Sequence, residues 1–435
     1  MATERAEIAE VVLNHFAGVE AAKVMPWTEL ADDHRRRRPT AGADVDRGIG
    51  NVCDLAALRL AFAKARSGKA PGVDGIADDF MRAAPDELAR VYHPLLAKMA
   101  LQCKEPVTYK GGLAVDLYKG SGRVADMGRY RSILLNATVC KHHHRFLRSR
   151  LLFFLQAAFL RSQCGGLPHR GTDMAAHMVR AFLEHSRHVG RTAAVAYVDL
   201  WSGFYTVVRQ LVMPIATTAD DMAEVVDSLQ VPRCCKDALR AMIAEPAVVE
   251  KHGLDPHLAA MLTEAHCGTW FCVEGREEVA RSRKGTRPGC SLADLVFNLA
   301  FAPALTDIQR GLQDADLVWK PPDVDRVFRK AGDADAALTD STFADDAAFC
   351  AIPHGNITVA DELARFCGII ADPLMQRGMR INWDKGKSGL MLALAGRHSR
   401  TARRVLFQDA DPVLRFGDGG RSEEHTSELQ SHSDL

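Results

Sequence analysis

The sequence predicts a mixed α+β protein, and three observations carry that expectation. Several long stretches space their apolar residues at helical intervals, most clearly over 55–65, 173–189 and 359–377. Short apolar runs of strand length, such as 193–200 and the two halves of "DSTFADDAAFCAI", are each interrupted by an aspartate. Gly- and Pro-rich loops punctuate the rest, at "SGKAPGVDG", "CGGLPHRGT" and "KGTRPGC".

Taken in order, residues 1–45 read as a partly flexible N-terminal extension. Its "HRRRRP" cluster at 34–39 is expected to be a basic arm. The helix beginning near 51 ends at Gly68, and helical text resumes to about Met99. Residues 111–123 read as a strand running into a basic turn, and 133–160 as helix. After the loop at 164–172 and the helix at 173–189 comes a buried strand, apolar until Asp199. Residues 209–268 are expected to be mostly helical, followed by a hairpin through "WFCVEGREEVAR". A loop then leads into a long apolar helix across 285–305.

Composition bounds the function. The 435 residues exceed one compact domain and predict two or three lobes. No run approaches the ~18 apolar residues of a membrane span, and "MATERAEIAE" lacks an apolar signal core. Eleven cysteines without regular spacing predict reduced thiols. "HCGTWFC" lacks a second ligand pair for zinc, and "KHHHR" at 141–145 reads as a solvated basic face. The formal charge is zero, but it is unevenly spread: eight Lys or Arg stand between Lys119 and Arg150 against the single acid Asp126. Such a stripe suits a phosphate backbone or a triphosphate. The last segment, 421–435, is polar and non-periodic, and its back-translation resembles a sequencing-adapter oligonucleotide; it is set outside the fold.

The chemistry concentrates in acids. In "TFADDAAF" the residues Phe343, Ala344, Ala347, Ala348 and Phe349 favour burial, whereas Asp345 and Asp346 do not, because an unpaired buried carboxylate is costly. A helix cap, a solvated turn and a cation site all explain such a pair, and the residues alone leave the three open. Asp199 ends another apolar strand in the same way. Three carboxylates brought together repel unless cations intervene. Mg²⁺ prefers oxygen ligands and substrate phosphates, and paired ions activate one oxygen while stabilising another.

The ordered set of motifs resembles the reverse transcriptase domain of non-LTR (LINE-type) retrotransposons. "KAPGVDGI" (69–76), "LYKGSGRVADMGRYRSILLNATVCK" (117–141), "QCGGLPHRGTDMA" (163–175), "AYVDLWSGFYTV", "KGTRPGCSLADLVFNL", "FADD" and "RGMRINWDKGKSGLM" fall in that family's order from about 51 to 392. The resemblance implies a right-hand polymerase fold, with an antiparallel palm sheet packed on helices and a truncated thumb. Its spans are fingers at 46–195, palm at 196–391 with a helical insertion at 209–268, and a partial thumb at 392–420.

The resemblance further implies RNA-directed DNA synthesis, with dNTPs added to a DNA primer on an RNA template using two Mg²⁺ (or Mn²⁺) ions. Asp199 and Asp345 are then the principal metal ligands and Asp346 a supporting acid. Phe204 is the aromatic gate against ribose, Lys119 and Arg131 hold the triphosphate, Gly289 lets backbone approach the nucleotide, and Lys385 stands near the pyrophosphate. It also implies nuclear action and further domains of a larger polyprotein. Pro288, Ser132, Tyr205 and "GGLPHRG" depart from the family pattern. An inactive or domesticated RNA-binding remnant, and a maturase- or telomerase-like polymerase, share the same acids.

Overall fold

The structure, a computed structural model, describes residues 5–42, 45–319, 337–384, 386–408, 413–417 and 424–431. The fold is mixed α+β, as the sequence predicts. Eleven strands lie among the described residues: β1 (Lys23–Pro26), β2 (Gly111–Tyr118), β3 (Tyr130–Asn136), β4 (Ala193–Asp199), β5 (Trp270–Cys272), β6 (Glu278–Arg281), β7 (Asp340–Phe343), β8 (Asp346–Ala351), β9 (Gly389–Ala393), β10 (Val413–Gly417) and β11 (Glu424–Ser431). They form two sheets, ordered β1-β6-β5-β2-β3 and β10-β11-β9-β4-β8-β7. The chain divides into two compact units that interleave in sequence. Unit 1 comprises Met1–Ala158, Phe204–Leu229 and Arg240–Ala300; unit 2 comprises Phe159–Gly203, Gln230–Leu239 and Phe301–Leu435.

Unit 1 holds the first sheet. Helix Leu55–Ala63 starts where the sequence places it because the Asp54 carboxylate accepts from the Ala57 N–H at 2.7 Å, satisfying an orphan donor of the first turn. Pro85 opens helix Pro85–Gln102, which ends on Cys103 in the left-handed conformation. These helices, with Met81 of the short helix Asp78–Ala83 between them in sequence, pack Leu58, Phe62, Leu96 and Met99 into one core with Val139 and Cys140. The hairpin expected after 268 is present as β5–β6.

Four expectations are corrected within this unit. The stretch 133–160 is not uniformly helical. Ser132, Leu134 and Asn136 alternate inward on β3, and helix Thr138–Phe154 begins only after it. Residues 1–45 are not an appendage: helix Arg5–Val19 buries Leu13 and Phe16 against Ala114, Leu134 and Phe271, and β1 pairs with β6. "HRRRRP" is no flexible arm, since His34–Arg36 close helix Trp27–Arg36 and Arg37 pairs with the buried Glu264. "KHHHR" is no solvated face either, because His142, His143 and His144 are all buried.

Directly after helix Arg5–Val19, Glu20 is buried near Arg209, whose guanidinium donates to the carbonyls of Gly285, His266 and Lys284. Burial pushes the Glu20 carboxyl up to about 7, against the pull of Arg209. A raised carboxyl stabilises the fold below its ordinary titration range and loses that contribution as pH rises through about 7. Glu20→Gln is therefore expected to melt with the parent at pH 5 and above it at pH 8.5, by roughly 3 kcal/mol at most. Thermal melts at the two pH values check this; a gap that does not grow with pH defeats it.

Unit 2 holds the second sheet. The predicted strand at 193–200 is β4, at the centre, with β8 on one side and β9 on the other, both antiparallel. That central position explains its near-continuous apolar text. Helices Thr172–His188 and Val359–Met375 match the predicted ones closely. Val179 and Phe182 of the first pack on Ala193, Val195, Ala348 and Cys350. The sheet is not wholly antiparallel as expected. Strand β11, from the segment set outside the fold, joins β9 in parallel and β10 antiparallel.

Candidate active site

The acids gather in unit 2. Strand register sets Asp199 directly opposite Asp346 across β4 and β8, a distance of ~5 Å between Cα atoms. Strands β7 and β8 form a hairpin whose last pair is Phe343 with Asp346, so Ala344 and Asp345 are the two loop residues. Ala344 takes φ +58°, the left-handed value that tight hairpins demand. Asp345 therefore sits in the turn that the sequence predicts, whereas Asp346 opens β8. Asp345 is half-buried and Asp346 exposed.

A third segment braces the turn. The chain at 162–165 lies along β7, with the Thr342 N–H donating to the Ser162 carbonyl at 2.9 Å and the Cys164 N–H to the Thr342 carbonyl at 2.8 Å. Gly165 then approaches the loop so closely that a Cβ there would stand 2.1 Å from the Ala344 nitrogen. Backbone cannot yield as a flexible side chain does. Gly165→Ala is expected to cost ~1–3 kcal/mol and to displace the Asp345 turn. A lowered melting temperature of the variant checks it, and an unchanged one would show that the turn relaxes freely.

Asp199 is held by Asn382, Lys387 and Ser388 of the segment "NWDKGKS", three residues to which the sequence alone gives no role. Asn382 Nδ2 donates to Asp199 Oδ2 at 2.9 Å, and Lys387 Nζ stands 3.8 Å from the same oxygen. The Asn382 N–H donates to the Asp199 carbonyl at 2.8 Å, and the Asp199 N–H donates to Ser388 Oγ at 3.0 Å. The signal for these residues was the Gly386 turn in "NWDKGKS", where φ reaches +75°. Lys385, the basic residue expected there, lies outside the described residues.

Asp199 and Asp346 border a cleft of about 750 Å³, with Tyr197, Phe343, Arg180 and Lys387 also on its wall. Neither a protein-family model nor a curated protein matches the chain. Its chemistry must be argued from these side chains.

The donor set suits a hard cation. Every ligand atom is a carboxylate oxygen, and Asp199 and Asp346 are exposed enough for waters to complete a shell. Among the described residues, Asp199, Asp345 and Asp346 do not bring three oxygens within 4.8 Å of one another. Asp199 instead rests on Asn382 and Lys387, cationic and hydrogen-bonding partners that take up its charge.

The other expected residues belong to unit 1. Lys119 follows β2, and its N–H donates to the Arg129 carbonyl at 2.8 Å; Arg131 opposes Leu117. Strand alternation puts Lys119 and Arg131 on one face of that ribbon. Phe204 stacks on Phe297 with ring centroids 4.7 Å apart. Gly289, at φ +106°, has a packing reason for being glycine: a Cβ would meet the Leu134 carbonyl oxygen at 2.3 Å. The adjacent Pro288 carbonyl accepts from the Leu134 N–H at 2.9 Å, so this proline is used through its oxygen.

Proposed function

We propose that the chain is an RNA-directed DNA polymerase of the reverse transcriptase type, and that Asp199, Asp345 and Asp346 form its metal site. The observation that carries this reading is the register of β4 and β8, which brings Asp199 opposite an acid 147 positions later, at the mouth of a cleft. Ordered sequence motifs supply the substrate class; the cross-strand acids supply the chemistry.

In this reading the three carboxylates would hold two Mg²⁺ or Mn²⁺ ions, which activate the primer 3′-hydroxyl and stabilise charge on the transferred phosphate. The residues of the chain do the rest. Asn382 and Ser388 fix the backbone and carboxylate of Asp199, and Lys387 balances its charge until a cation replaces it. The face of Lys119 and Arg131 offers donors to a triphosphate. Phe204, propped by Phe297, is a flat ring suited to exclude a ribose 2′-hydroxyl. Partners are an RNA template, a DNA primer and dNTPs, and nuclear action follows from the family resemblance alone. No described helix is long and apolar enough to cross a membrane.

The direct test is extension of oligo(dT) on poly(rA) by the full chain with Mg²⁺ or Mn²⁺. Incorporation that chelator abolishes and the ion restores is the expected result. A second reading, an RNA-binding remnant without catalysis, draws on Asp199 being already engaged by Asn382 and Lys387. Tight binding of the hybrid with no incorporation under either ion would establish that remnant.

A further inference from the structure

Unit 1 contains a second cluster of ligand-type side chains, unrelated to the acids. Helix Thr138–Phe154 places Cys140, His143 and His144 at i, i+3 and i+4, hence on one face. All three are buried, and so is Glu105, which meets them from the loop after helix Pro85–Gln102. His144 Nε2 lies 2.9 Å from Glu105 Oε1 and 3.6 Å from Cys140 Sγ. His143 Nε2 stands 3.9 Å from the same Glu105 oxygen. One ligand atom each from Glu105, Cys140 and His144 lie within 4.8 Å of one another.

We propose that Glu105, Cys140 and His144 form a buried structural site for zinc or a similar borderline divalent ion. Bonds of 2.0–2.3 Å in a tetrahedron put neighbouring ligand atoms roughly 3.3–3.8 Å apart, and His144 Nε2 lies 2.9 Å from Glu105 Oε1 and 3.6 Å from Cys140 Sγ, close to that range. Thiolate, carboxylate and a neutral imidazole around a divalent ion leave the site uncharged, which burial favours.

A simple ion pair between His144 and Glu105 accounts for only part of the cluster. It leaves Glu105 Oε2 buried without a hydrogen-bond partner, a costly orphan that a divalent ion would take up as a second oxygen of the same carboxylate. The outer contact fits as well. His144 Nδ1 lies 3.2 Å from Cys290 Sγ. A proton on Nδ1 shared with that sulfur leaves Nε2 bare for the ion, in the manner of outer-shell partners that set a ligand's tautomer.

The test uses the full chain, stripped with chelator and checked for folding by circular dichroism. Titration with Co²⁺ is expected to give a thiolate-to-cobalt charge-transfer band and tetrahedral d–d absorption, saturating near one equivalent. Mg²⁺-type oxygen sites produce no such band, so the acids of unit 2 do not confuse it. Protein purified without chelator is expected to retain about one zinc. Cys140→Ala should abolish the charge-transfer band, and His144→Gln should weaken metal affinity at least tenfold. A folded chain that shows neither zinc nor the cobalt band overturns the site, without recourse to any variant. A band that survives Cys140→Ala but vanishes in Cys290→Ala overturns the ligand assignment.

Discussion

Asp199→Asn and Asp345→Asn are each expected to reduce primer extension by on the order of a thousandfold while leaving thermal stability nearly unchanged. The size follows from the role. A carboxylate that binds an activating cation contributes several kcal/mol of charge stabilisation, and each 1.4 kcal/mol is about tenfold in rate. Asparagine keeps the shape and retains an oxygen for the Asn382 amide, so the fold loses little. Asp346→Asn is expected to cost less, about ten- to a hundredfold, because Asp346 is exposed and Asp345 half-buried, and a charge acts more strongly away from water. The opposite ranking would make the cross-strand neighbour of Asp199 the principal ligand. Undiminished extension in both Asp199→Asn and Asp345→Asn would remove the metal site altogether.

Much of this site is legible in the sequence because strands and hairpins are local. The apolar run that stops at Asp199, and the two short runs flanking the Asp pair, announce β4, β7 and β8 without any partner being known. What stays hidden is who meets whom. The interleaved units have no local signature, since each depends on contacts between distant segments. Buried polar residues are hidden for the same reason. "KHHHR" and "HRRRRP" look solvated, as charged and polar runs usually are. Their burial or pairing depends on Glu105, Asp78 and Glu264, which stand far away in the chain. Asn382 and Ser388 went unassigned because a turn is easily seen, whereas the strand end it clasps is not.

Glu264→Ala is expected to destabilise unit 1 by roughly 3–5 kcal/mol, the cost of leaving a buried charge without its partner. Glu264 is buried and accepts from Thr40 Oγ1 at 2.6 Å, Lys110 Nζ at 2.8 Å and the Glu105 N–H at 3.0 Å, with Arg37 paired to the same carboxylate. Lys110 is fully buried as well. Without that carboxylate Lys110 Nζ keeps its hydrogen bond to the residue-264 carbonyl but loses its ion pair, so the variant strands an ammonium inside the unit. At 2–4 °C per kcal/mol the unit's melting transition should fall by about 10 °C. The charges, more than the lost packing, are held responsible, and two measurements separate them. Glu264→Leu combined with Lys110→Met should recover most of the loss, because well-packed apolar groups replace a buried ion pair at little cost. The pH dependence gives the other. Burial pushes the Glu264 carboxyl up, but Lys110 and Arg37 outweigh it and hold the group below its ordinary value. A lowered carboxyl contributes its stability above the unfolded-state value and loses it as pH falls through the folded one. The gap between parent and Glu264→Ala should therefore be full at pH 7 and narrow only below about pH 4.5. A gap that stays constant into that acid range would assign the effect to packing and leave the buried network without an electrostatic role.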